Sequence, residues 1–91
     1  MEMQKLINLL TEANIPFEVR DCWGTPQVCY PDANDKTRVC DAVCHPGSYG
    51  YHNGLLEIMG LVDVADVGDD VEGWLTAEDV FSRIQKHYQE K

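Results

Sequence analysis

Both ends of the chain carry apolar residues at helical spacing, and this pairing limits the possible folds more than any other feature. Met3, Leu6, Ile7, Leu10 and Ala13 recur at i, i+3, i+4, i+7 and i+10, which predicts a helix over residues 2–13 with one apolar face. Asn14 and Ile15-Pro16 stop it, because the residue before a proline is pushed out of the helical region. At the other end Thr76 is placed as an N-cap with Asp79 three residues on, and Leu75 and Val80 flank it as a hydrophobic staple. Ala77, Val80, Phe81, Ile84 and Tyr88 then form an apolar face. Glu78 and Asp79 in the first turn, with Lys86 and His87 near the end, suit the helix dipole. The segment between the two helices must therefore supply a surface that can bury both faces.

That segment reads as strands. Phe17–Cys22 alternates in polarity, Trp23-Gly-Thr-Pro26 carries turn chemistry, and Gln27–Tyr30 completes a hairpin. A polar loop at Pro31–Asp35 leads to a third predicted strand, Thr37–Cys44, and a fourth runs from Leu55 to Val62. Short connections favour an antiparallel meander with both helices on one side. The expected fold is a single α+β domain over residues 1–91, ordered α-β-β-β-β-α. The second sheet face is then solvated or used by a partner. Trp23 and Tyr30 are candidates to lie near it, either as contacts or as a lid on the hairpin end.

A chain of 91 residues holds one core and buries only about 60–65 % of its unfolded surface, so its stability margin is small. Its composition of 44 % hydrophobic and 25 % charged residues is that of a folded protein. The first ten residues break their apolar positions at helical spacing instead of forming the continuous run of a secretory signal. No stretch approaches the roughly 18 apolar residues of a membrane span. We therefore expect a cytoplasmic protein with Cys22, Cys29, Cys40 and Cys44 as free thiols; two disulfides are the alternative in an oxidising compartment.

The net charge of −9 is unevenly placed. Between Val39 and Ser82 lie nine acids (Asp41, Glu57, Asp63, Asp66, Asp69, Asp70, Glu72, Glu78, Asp79) and neither lysine nor arginine. Direct nucleic-acid binding through this half is disfavoured, since phosphate affinity comes from basic side chains. A protein with a basic surface is the more natural partner. The alternative is that the acids only keep a small domain soluble.

Cys40, Cys44, His45 and His52 are of the right types to ligate zinc. In a strand, however, positions 40 and 44 stand about 13 Å apart, too far to share one tetrahedral ion. Small buried hydrophobes beside Ala42 are the plainer reading of the two cysteines. Cys22 and Cys29 flank the hairpin turn and could face each other across it, though a reducing compartment keeps them reduced. A cysteine nucleophile with His45 or His52 as base and Asp41 or Glu57 as orienting group is a further alternative. Sequence neighbours such as Cys44 and His45 point to opposite strand faces, and acidic surroundings raise a thiol pKa, so no catalytic residue and no cofactor is expected.

The glycine-shaped segment His45–Gly54 lacks the basic residues and spacing of a phosphate loop. Tyr49, Tyr51 and His52 suit a contact surface, the alternative being a structural connection with one tyrosine packed inward. Asp63, Asp66, Asp69, Asp70 and Glu72 miss the alternating pattern of a calcium loop and read as a solvated acidic loop leading to Trp74. The expected partner-binding set is Trp23, Tyr30, Tyr49, Tyr51, His52, Asp66, Asp69, Asp70 and Glu72.

The runs VCDAV, GSYGYHNGLLEIMGL and VEGWLTAEDVFSRI within residues 39–84 resemble small proteins encoded by phages and prophages of Gram-positive bacteria, over about half the chain. The resemblance implies a mobile-element setting, in which small acidic proteins act by binding a host macromolecule, as anti-restriction and anti-CRISPR proteins do. It implies no activity and assigns no catalytic residue.

Overall fold

The computed structural model describes residues 2–22, 24–48, 50–61 and 71–90. The elements are α1 (Glu2–Glu12), β1 (Glu18–Cys22), β2 (Thr25–Tyr30), β3 (Cys40–Val43), a 3-10 turn (Tyr51–Asn53), β4 (Leu56–Met59), β5 (Val71–Leu75) and α2 (Ala77–Gln89). The strands form one antiparallel sheet in the order β1-β2-β3-β4-β5. The α+β class and the meander agree with expectation, but the sheet has five strands where four were expected. No helix among the described residues is long and apolar enough to cross a membrane.

The additional strand is β5, in the stretch expected to be an acidic loop. Its pairing with β4 slips between Leu56↔Leu75 and Ile58↔Glu72, a bulge that places Gly73 and Trp74 opposite one residue of β4. Period-two alternation is lost there, which is why the strand is invisible to a pattern search. Of the expected strand over Leu55–Val62, the described residues are extended only over Leu56–Met59, because Gly60 (φ 87°) and Leu61 (φ 56°) leave the extended region; Val62 lies outside the described residues. The expected strand over Thr37–Cys44 shortens likewise, since the amides of Thr37 and Arg38 turn back to the Asn34 carbonyl at 3.1 and 2.8 Å.

The register puts Val28, Ala42 and Ile58 side by side on one sheet face. Together with Tyr30, Leu56 and Leu75 they share a core with Met3, Leu6 and Leu10 of α1 and with Ala77, Val80 and Ile84 of α2. Each large side chain removed from water there contributes about 1.5–3 kcal/mol. The capping box of α2 forms as its residues require: Thr76 Oγ1 accepts from the Asp79 N–H at 3.2 Å, and Asp79 Oδ2 accepts from the Thr76 N–H at 3.1 Å.

The second sheet face is not simply open. Gln27, Cys29, Asp41 and Val43 are buried on it. Arg20 Nε donates to Gln27 Oε1 at 2.8 Å, Arg38 lies 3.6 Å from the Asp41 carboxylate, and the Ala33 N–H donates to Glu18 Oε1 at 2.7 Å. The loop between β2 and β3 is thus folded against this face. Among the described residues, Met59 is a large apolar side chain that this face leaves in solvent, 53 % exposed.

Candidate functional site

The segment after β3 is shaped by turns whose hydrogen bonds are local. The His45 carbonyl accepts from the Ser48 N–H at 2.9 Å and from Ser48 Oγ at 2.8 Å, while Ser48 Oγ accepts from the His45 N–H at 3.1 Å. This closed turn delivers the chain to Gly50 (φ 92°), after which Tyr51–Asn53 forms the 3-10 turn and the Leu55 N–H returns to the Gly50 carbonyl at 3.0 Å. A side chain at Gly50 would bring its Cβ to 3.0 Å from the Trp74 nitrogen and 3.1 Å from the Trp74 Cα. Glycine therefore lets the loop lie directly on the backbone of β5.

Trp74, at the bulge it forms with Gly73, is the residue that sequence reasoning missed. It adopts φ 62°, a left-handed conformation that costs a non-glycine residue about 1–2 kcal/mol. It is 59 % exposed. Tyr51, also exposed, stacks edge-to-face with His52 at 5.5 Å and an interplanar angle of 67°. An aromatic beside a glycine in a stretch without alternation, one position before the staple residue Leu75, was the available signal.

Tyr30 is corrected. It is 1 % exposed, on the helix-facing side with Val28, and its hydroxyl lies 2.8 Å from His87 Nδ1 with the rings nearly perpendicular. Its alternation with Val28 could have placed it there. Glu72 belongs to β5, and its carboxylate accepts from both terminal nitrogens of Arg83 at 2.8 and 3.0 Å, so it is engaged within the fold and is not a solvated loop acid. Trp23, Tyr49, Asp66, Asp69 and Asp70 lie outside the described residues, as does Asp63.

The cysteine and histidine cluster is pulled apart by the extended β3. Cys40 faces the core, and burial, aided by the Asp41 carboxylate, pushes its thiol up to about 12. Cys44 follows the strand and is raised by burial, as is Cys29. All three shifts run against thiolate formation. The His45 Nδ1–H donates to the Pro46 carbonyl at 2.8 Å. Among the described residues no three His, Cys, Asp or Glu converge on a point that could hold a metal. Cys22 and Cys29 do not face each other either, since the register pairs Cys22 with Thr25 and Cys29 with Glu18.

No family model, curated protein or solved structure matches the chain.

Proposed function

We propose that this is a non-enzymatic, cytoplasmic binding or modulatory protein of a phage or mobile element, acting through contact with a basic protein surface. The observation that carries the reading is the exposed Trp74, held in a strained conformation beside the 45–54 loop and within the acid-rich half of the sequence. Strain of this kind persists only where surrounding structure imposes it, and exposed tryptophan and tyrosine are the side chains that anchor interfaces. Acids around such an anchor speed encounter with a cationic partner and exclude acidic ones. The raised thiol pKa values, with their direction opposed to nucleophilic activation, give no support to cysteine catalysis.

Capture on immobilised protein, from a lysate of the organism that encodes it, tests the proposal. The full chain is compared with Trp74→Ala and with the double variant Asp69→Lys, Asp70→Lys. The expected result is a basic protein retained at low salt, released as salt rises, and lost with both variants. Retention that ignores salt, or that is equal for all three proteins, overturns it.

A further inference from the structure

At the end of the sheet that carries the 3-10 turn, the first turn of α1, the start of β2 and the residue after β3 border a half-open groove of about 520 Å³. Its walls include Met3, Thr25, Pro26, Cys44, Tyr51 and His52. Sites that hold a small organic molecule span about 300–1,000 Å³. The groove's volume lies within that range.

The chemistry of the walls narrows the ligand. None of the described lining residues is Lys, Arg, Asp or Glu. A charged molecule entering would lose part of its hydration and meet no carboxylate, ammonium or guanidinium among these residues. Two sulfur-bearing residues, Met3 and Cys44, line the groove together with Pro26 and the aromatic pair of Tyr51 and His52. Thioethers pack favourably on aromatic rings, and aromatic side chains offer edge-to-face geometry to another ring. Thr25 Oγ1 already donates to the Cys22 carbonyl at 2.8 Å, which leaves its oxygen to accept, while the exposed phenol and imidazole at Tyr51 and His52 can serve a polar substituent. Burial raises the Cys44 thiol, so at neutral pH it is an apolar wall.

From the groove's volume and the sulfur-bearing and aromatic character of its described lining, which holds no Lys, Arg, Asp or Glu, we infer that it is a binding site for an uncharged small molecule with an aromatic body. The inference shares Tyr51 and His52 with the proposed docking surface but uses neither Trp74 nor the acidic residues, so each can fail without the other.

N-phenyl-1-naphthylamine, an uncharged aromatic dye whose emission rises in apolar surroundings, is the probe. The full chain should bind it saturably at one site. Bound dye should slow maleimide alkylation of Cys44 by at least about tenfold while Cys22 reacts at its usual rate. Cys44→Phe, which fills the groove, should weaken dye binding by about tenfold or more, and Met59→Ser, which removes an exposed apolar side chain at the far end of β4, should leave it unchanged. Non-saturating emission, unprotected Cys44, or equal loss in both variants overturns the inference. Should Cys44→Phe fail to fold, protection of Cys44 in the unaltered chain decides alone.

Discussion

Cys40 stores a pH dependence in a single side chain. Burial pushes its thiol from the ordinary value of 9.0 up to about 12, so below pH 9 the core thiol is neutral in both states and its contribution is complete. As pH rises from 9.0 towards 12 the unfolded chain releases a proton that the folded chain keeps, and stability falls. Denaturant unfolding should therefore show an alkaline loss of stability starting near pH 9, shallower in Cys40→Ala even though that variant is less stable at pH 7. An unchanged slope in the variant would exclude Cys40 as its source. Gly60 makes a different single-residue demand: a Cβ there would lie 2.4 Å from the Val39 carbonyl oxygen and 3.2 Å from the Cys40 Cα, on a backbone with φ 87°. Gly60→Ala should destabilise by about 2–4 kcal/mol, from strain plus displacement of β3. A loss below about 0.5 kcal/mol, the range of ordinary surface substitutions, would refute the close approach.

The two helices are tied to each other by a contact spanning 75 positions of sequence, in which Glu2 Oε1 accepts from the Ala77 N–H at 2.7 Å. This carboxylate serves an unpaired amide at the start of α2 from the start of α1. That bond, followed by the bond from Lys5, holds the carboxyl below its ordinary value of 4.5. Its stabilisation is complete above pH 4.5 and is lost as pH falls through the lower folded-state value. Glu2→Ala should cost about 1 kcal/mol at pH 7, as losing a cap does, and the gap from the parent should close on acidification; a gap independent of pH would deny the carboxylate this role. Nothing in local sequence pattern announces such a bond. The helices themselves were legible, because 3.6-residue periodicity and a capping box are local and α2 needs little else to begin. β5 was not, because its bulge and the left-handed Trp74 remove the alternation by which strands are read. The candidate site divides in the same way: glycine marked the 45–54 loop, whereas the partner of Gly50 is the backbone of a strand 24 positions away that the pattern does not reveal.

Charge acts on the whole molecule at once. The acid-rich half has no lysine or arginine of its own, yet the fold returns bases to it from outside: Arg83 pairs with Glu72 at 2.8 Å, Arg38 lies 3.6 Å from Asp41, and Lys5 lies 4.0 Å from Glu78. These pairs leave the net charge at −9. The radius of gyration is 12.0 Å, whereas the Debye length is about 30 Å at 10 mM salt and about 8 Å at 150 mM. At low salt every acid thus repels every other across the full width of the protein, and at physiological salt only neighbours do. Folding compresses this charge, so the repulsion burdens the folded state more than the expanded chain. Exposed ion pairs oppose the trend, but each is worth about 0–1 kcal/mol and the half-buried Arg83–Glu72 pair is screened less than the surface repulsion. Sodium chloride raised from 10 to 150 mM, concentrations chosen to span roughly those two Debye lengths, should therefore raise the thermal midpoint. Most of the gain should come in the lower part of that range, where the screening length contracts to the size of the molecule. A midpoint that falls with salt would mean that ion pairs, and not the unbalanced acids, dominate the electrostatics of this fold.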